Sequence, residues 1–125
     1  MRRSRGSAPL DFILVSVPLV LLSLGVVTFS INGYAANISQ DVAIEAAHMA
    51  ALADVDLNEA RRSATHDLSD ALGGVFKASL TLSKGETSSG CRAVAVVTVS
   101  TVVLGLLGKS VDIKEVASAV CELQE

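Results

Sequence analysis

The hydrophobic pattern of the chain begins with an uncharged apolar run over residues 12–31, FILVSVPLVLLSLGVVTFSI. As a helix rising about 1.5 Å per residue, these 20 residues are long enough to cross roughly 30 Å of hydrocarbon. Arg2, Arg3 and Arg5 precede the run, and short basic flanks stay on the cytoplasmic side of a membrane. The pattern predicts a membrane-spanning helix, with the residues after Ile31 outside.

Helical spacing continues beyond the apolar run and predicts one long helix over residues 9–53. Polar residues such as Gln40 and Glu45 lie off the apolar side of this segment. A stripe of larger apolar residues recurs at helical spacing and is expected to pack on the soluble domain: Tyr34, Ile38, Val42, Met49 and Leu52.

A second helix is predicted to begin after Asp56 and to end at Gly73-Gly74. Asp56 and Glu59 have the spacing of a capping box, with Asp in place of the usual Ser or Thr. Its charged residues are expected on a solvated side: Arg61, Arg62, Asp67 and Asp70. Its apolar side is expected to be Leu57, Ala60, Ala64, Leu68 and Leu72.

From residue 76 the period changes to two, which indicates strands. Residues 76–83 alternate between apolar and polar, residues 84–90 have a loop composition, and residues 93–102 are β-branched. Residues 105–108 are expected to form a turn. Residues 111–123 suit either a helix face or a strand.

The two cysteines favour the strand. If strands 91–104 and 109–122 pair around a turn near Leu106, facing residues have numbers that sum to 212, and Cys91 and Cys121 satisfy this sum. Antiparallel partners lie within the Cα separation that a disulfide needs. One disulfide is therefore predicted, the alternative being two unpaired thiols; a loop of this size adds about 3–4 kcal/mol in the chain-entropy estimate.

Residues 5–54 resemble a known family. Gly6, followed by four small or apolar residues and then Asp11-Phe12 and the apolar run, resembles the type IV prepilin processing site. Arg-Gly-Ser-Ala-x-x-Asp-Phe at residues 5–12, Tyr-Ala-x-x-Ile-x-Gln at residues 34–40 and the Ala-rich segment 45–51 resemble the TadE-like pseudopilins, minor components of the tight-adherence (Flp) pilus machinery. The family usually has Glu where this chain has Asp11, and a small or apolar residue in place of Pro9.

The resemblance implies how the chain is divided and processed. A prepilin peptidase would cut between Gly6 and Ser7, which makes residues 1–6 a leader, residues 7–31 a transmembrane pilin-like helix and residues 32–125 an extracytoplasmic pseudopilin domain. Asp11, next to Phe12, would then pair with the new ammonium group of Ser7 and set the register of subunits, since an unpaired charge in lipid is costly.

The expected protein is therefore a minor pilin-like subunit of a tight-adherence type IV pilus or related export filament. Its fold class is α+β: a long N-terminal transmembrane helix continues into a small domain with a second helix and about three antiparallel strands. Its partners are the membrane, prepilin peptidase, other pilin-like subunits and the pilus assembly machinery. It would be a single-pass cell-membrane protein with a cytoplasmic N-terminus and an extracytoplasmic C-terminal domain; the sequence leaves open whether it enters a surface filament or stays at the base of one.

The charge balance and the motifs of the sequence argue against nucleic-acid binding, catalysis and metal binding. From residue 32 onward the chain has seven Lys or Arg against twelve Asp or Glu, a balance that argues against direct nucleic-acid binding. No phosphate loop, HExxH or nucleophile elbow occurs in the sequence. His48, His66 and the two cysteines lack the close spacing of zinc ligands. No catalytic residue, metal, cofactor or small-molecule substrate is expected.

Two alternatives concern the N-terminal segment. It also fits a secretory signal peptide, although the apolar run exceeds the usual length of about 7–15 residues and Asp11 abuts it. Removal of such a peptide would leave a secreted small disulfide domain. An uncleaved anchor would instead hold a binding module whose acidic domain docks another protein of the cell envelope.

Overall fold

A computed structural model describes residues 8–52, 54–74, 76–103 and 109–121 of the chain. Two helices precede three strands: α1 (Ala8–Ala51), α2 (Leu57–Leu72), β1 (Lys77–Thr87), β2 (Gly90–Val103) and β3 (Lys109–Val120). The architecture is α+β, as predicted. The chain divides into two units, Met1–Ile31 and Asn32–Glu125.

In the first unit, α1 is apolar around its whole circumference. The described side chains of residues 8–31 are exposed or half-exposed, and none is buried. Ser23, Thr28 and Ser30 each donate a hydrogen bond to the carbonyl four residues earlier, at 2.8–2.9 Å. These polar groups therefore need no partner outside the helix, and α1 is long and apolar enough to span a membrane.

In the second unit, α1 buries a face of small residues. The predicted stripe of larger residues is correct only in part: Val42 is buried and Ile38 and Met49 pack against the core, but Tyr34 is 53% exposed and Leu52 is 40% exposed. Small side chains let the helix backbone approach the rest of the core closely, and the larger residues then lie at the margins of the contact. The buried residues are Ala35, Ser39, Val42, Ala43, Ala46, Ala47, Ala50 and Ala51.

Helix α2 has the predicted limits, but the predicted capping box does not form. Asp56 occupies the N-cap position with extended backbone angles and makes no side-chain capping hydrogen bond. At the other end, Gly73 has φ of 61° and donates its N–H to the carbonyl of Asp70. Glycine adopts this left-handed conformation without the steric cost of a Cβ. The buried side is the predicted one: Ala60, Ala64, Leu68 and Leu72, with Leu57 half-buried.

The strands form one antiparallel sheet in the order β1-β2-β3. Strand β1 runs to Thr87, so the prediction of a loop over residues 84–90 is wrong. Residues 84–87 pair with the start of β2, and only Ser88 and Ser89 remain in the turn. Gly90 closes that turn with φ of 110°, an angle that favours glycine. Pairing with the long β2 overrides the loop-like composition.

The registers of the sheet assign its two faces. Facing residues of β2 and β3 have numbers that sum to 212, as predicted, so residues of equal parity share a face. The odd-numbered residues of β2 point toward the helices and are fully buried: Ala93, Ala95, Val97 and Val99. They form one core with the small-residue face of α1 and the apolar side of α2. Residues 111–120 are strand rather than helix.

Polar side chains join the elements of the second unit at their margins. The Tyr34 hydroxyl donates to the carbonyl of Ala71 at 3.2 Å, and the Arg61 guanidinium donates to the carbonyl of Leu82 at 3.2 Å. Lys84 reaches the carbonyl of Leu52, just after the end of α1, at 3.5 Å. A cation at this end of a helix is favourably placed relative to the helix dipole.

Candidate functional site

The predicted processing site falls at the start of the chain. Gly6 and Ser7 lie outside the described residues. Asp11 lies in the first turn of α1, with Phe12 exposed beside it. Pro9 is compatible with this turn, because the first N–H groups of a helix have no intrahelical acceptor. The same free N–H groups and the helix dipole favour a carboxylate at the position of Asp11.

The predicted disulfide is present between Cys91 and Cys121, with a Cα–Cα distance of 5.3 Å. The two residues continue the register of β2 and β3, and the N–H of Cys121 donates to the carbonyl of Cys91 at 3.1 Å. The bond therefore fastens the end of β3 to the start of β2. The turn predicted over residues 105–108, which would join the other ends of these strands, lies outside the described residues.

The histidines are surface residues. His66 lies 3.3 Å from Asp70 and 3.9 Å from Asp67, and all three side chains are largely exposed on α2. Exposed pairs of this kind contribute little to stability. His48 is exposed on α1. Among the described residues, no three His, Cys, Asp or Glu side chains are grouped as ligands for a metal ion.

Sequence patterns did not identify an exposed surface on the second part of α1. We call this surface the α1 outer face; it lies opposite the buried alanines and combines two acidic residues with apolar ones. Ile44 is 42% exposed within it. The helical spacing of these residues was visible in the sequence, but Met49 and Leu52 were predicted to belong to a buried stripe. The face consists of Asp41, Ile44, Glu45, His48 and Leu52, with Met49 half-buried at its margin.

A second exposed surface lies on the side of the sheet that faces away from the helices. We call it the sheet outer face. Val116 is 60% exposed and Val120 is 71% exposed, while Val94 and Val96 of β2, on the same side of the sheet, are half-buried. The exposed cations Arg92 and Lys114 lie toward its two ends. The face consists of Arg92, Val94, Val96, Lys114, Val116 and Val120.

The fold defines an α+β domain on a helix long and apolar enough to cross a membrane. Comparison with known proteins adds no family: no family model matches the chain, and neither a curated protein nor a solved structure matches it significantly. The resemblance of residues 5–54 to the TadE-like pseudopilins therefore stays a prediction.

Proposed function

We propose that the chain is a TadE-like pseudopilin, a minor pilin-like subunit for assembly of a tight-adherence type IV pilus or a related export filament. The observation that carries the proposal is that the two parts of α1 have different surfaces. Its first part is apolar on all sides with Asp11 in the first turn, and its second part forms the core of a small α+β domain. This arrangement suits a subunit that leaves the membrane by joining other apolar helices.

Processing would convert the chain from a precursor into an assembly-competent subunit. Hydrolysis of the peptide bond between Gly6 and Ser7 consumes one water molecule, releases the arginine-rich leader and leaves an ammonium group on Ser7. Ser7 and Asp11 are four residues apart, the spacing at which neighbours on a helix surface meet. The carboxylate would pair with this ammonium group or with that of a neighbouring subunit.

Such a pair would fix the register between subunits. In a low-dielectric surrounding an unpaired charge is costly, so packing arrangements that leave Asp11 or the ammonium group without a partner are disfavoured. The proposal places the domain outside the cytoplasm. The Cys91–Cys121 disulfide supports this placement, because disulfides persist in oxidising compartments.

The first test is the mass of the N-terminal peptide of the full chain from the membrane fraction of its native host. We expect a chain that begins at Ser7. Gly6→Val should block processing and leave the leader attached, because the added side chain alters the residue at the cut. A mature chain beginning at Ser7 at normal yield in this variant would contradict the assigned processing site.

The second test concerns Asp11. Asp11→Ala should leave membrane insertion intact but reduce incorporation into the assembled filament at least about tenfold, the effect of losing roughly 1.4 kcal/mol of pairing energy. Asp11→Glu is the matched control and should retain assembly, because it keeps the carboxylate. The measurement is the ratio of the subunit in sheared filaments to that in membranes. Equal ratios for Asp11→Ala and the unmodified chain would remove Asp11 from the mechanism.

A further inference from the structure

The two exposed surfaces of the second unit have opposite charge. The α1 outer face carries Asp41 and Glu45, and α1 contains no Lys or Arg along its whole length of 44 residues. The sheet outer face carries Arg92 and Lys114. Asp112, the acid nearest to Lys114 on that side of the sheet, accepts a hydrogen bond from Ser100 at 2.7 Å. The hydrogen bond leaves Asp112 charged, so the sheet side carries a net positive charge from two cations against one acid, whereas the α1 outer face carries two acids and no Lys or Arg.

The two surfaces also match in apolar content and in length. On α1, Ile44 and Leu52 are exposed beside the acids. On the sheet, Val94, Val96 and Val116 lie between the two cations along the strands, and Val120 faces Arg92. The helix rises about 16 Å from Asp41 to Leu52. Arg92 and Lys114 are separated by about 20 Å along β2, since Lys114 faces Thr98. The α1 outer face is therefore about as long as the valine patch. A helix that lies along this patch can place Asp41 and Glu45 near Arg92 or Lys114.

We propose that the α1 outer face of one copy docks on the sheet outer face of a second copy. Contact of two α1 outer faces would bring Asp41 and Glu45 toward the same acids of the partner, and contact of two sheet outer faces would bring cations together. Like-charge contacts of this kind are disfavoured at interfaces, whereas acidic against basic surface is complementary. The charges therefore favour contact between an α1 outer face and a sheet outer face over contact between two copies of the same face.

This contact leaves surfaces free for further copies. The core lies between the small-residue side of α1 and the inner side of the sheet, so the two outer faces point away from each other on opposite sides of the domain. Two copies in contact still present one free α1 outer face and one free sheet outer face. A heterologous interface of this type builds rings or open filaments rather than closed dimers.

The proposal gives the filament subunit a contact between its soluble domains, and its role in assembly rests on the proposed function. One helix face on one sheet patch makes a small interface, which we expect to be weak in solution. Anchoring of both copies in one membrane raises their effective concentration and strengthens it. The test therefore uses the full chain in membranes.

The experiment is site-specific photo-crosslinking between two differently tagged copies in one host. The first copy carries p-benzoylphenylalanine in place of Ile44, and cross-linked peptides are mapped by mass spectrometry. We expect cross-links to the peptides of β2 and β3 that contain Val94, Val96 or Val116. The same photoreactive residue in place of Arg62, on the exposed side of α2, should give at least about tenfold less product.

Charge reversal then tests the pairing. Asp41→Lys with Glu45→Lys in the first copy, or Arg92→Glu with Lys114→Glu in the second, should each reduce the product about tenfold. Combining both reversed copies should restore it, a result that misfolded variants cannot give. Asp67→Lys with Asp70→Lys on α2 is the matched control and should leave the product unchanged.

Other outcomes overturn the proposal: no cross-link between copies, cross-links joining two α1 helices, cross-links only to a different protein, or a yield that charge reversal does not change. The mass of the N-terminal peptide keeps this test separate from the proposed function. A chain that begins at Ser7 but gives no cross-link would leave the pilin-like function standing without this contact. A cross-linked chain that begins at Met1 would leave the contact standing without that function.

Discussion

Over residues 8–31, α1 carries large apolar side chains around its whole circumference, whereas over residues 32–51 it buries one face made mostly of alanine. Both segments belong to one continuous helix. The side chains of the first segment are exposed or half-exposed, whereas the second segment buries part of its side chains in the domain core. An apolar surface of this size marks a membrane or protein contact, because isolated soluble proteins rarely expose more than a few hundred Å² of it. The alanine face suits close packing inside a folded domain.

The comparison teaches that apolar content alone does not identify the packed part of a helix. The segment with the larger apolar residues is the uncovered one, and the segment with small residues contributes to the core. A close-packed core is sensitive to a volume change of even one methylene group, whereas exposed side chains are not limited in this way. Three comparisons of variants test the two segments.

The largest effect is expected from charges in the first segment. Val20→Arg combined with Leu24→Arg should prevent stable membrane insertion, since each arginine at the centre of a membrane helix costs about 2.5–3.5 kcal/mol. Asn37→Arg combined with Gln40→Arg is the matched control on exposed positions of the second segment and should leave insertion unchanged. The measurement is the fraction of the chain that resists alkaline extraction from membranes. Equal extraction of both double variants would contradict the assignment of the span.

An intermediate effect is expected from added volume. Ala46 is fully buried, so Ala46→Leu should destabilise the domain by about 1–3 kcal/mol through overpacking. Ser23→Leu in the first segment should leave the stability of the domain within about 0.5 kcal/mol, because its side chain is exposed. The urea midpoint can be followed by the fluorescence of Tyr34, the single tyrosine of a chain without tryptophan. Similar midpoints for both variants would mean that the alanine face is not packed.

The smallest effect is expected near the boundary of the two segments. Tyr34→Phe removes the hydrogen bond to the carbonyl of Ala71 and should cost about 0.5–1 kcal/mol. Thr65→Ala is a suitable control, since its hydroxyl bonds only to a carbonyl of its own helix, that of Arg61. Urea unfolding followed by circular dichroism measures both variants. If Tyr34→Phe unfolds at the same urea concentration as the unmodified chain, the bond to α2 contributes nothing.

Sequence patterns predicted the order of the helices and strands and the register between β2 and β3. The limits of α2 followed from Asp56 and Gly73, and the pairing of β2 with β3 followed from the positions of Cys91 and Cys121. Both predictions depended on local chemistry or on a covalent constraint. A helix stop needs a residue that accepts the left-handed conformation, and a disulfide needs two residues that face each other.

Other features depended on tertiary packing and were not predicted. The buried side of α1 was assigned to a stripe of larger residues, of which Val42 is buried, whereas most buried positions are alanines such as Ala43 and Ala46. The extension of β1 through residues 84–87 depended on the length of β2, which composition does not encode. The α1 outer face became visible only once the opposite side of the helix was known to be buried. Gly6 and Ser7 remain predicted from resemblance alone.

The Cys91–Cys121 bond has a mechanical consequence. Tension applied along the chain from α1 reaches Cys91 after passing α2 and β1, and it then crosses directly to Cys121 through the sulfur atoms. The 30-residue interval between the cysteines carries none of this load. Extension of that interval would otherwise release roughly 100 Å of contour length. Strands β2 and β3 thus cannot be pulled apart by force along the chain while the bond holds, a property that would suit the proposed role as a filament subunit under traction.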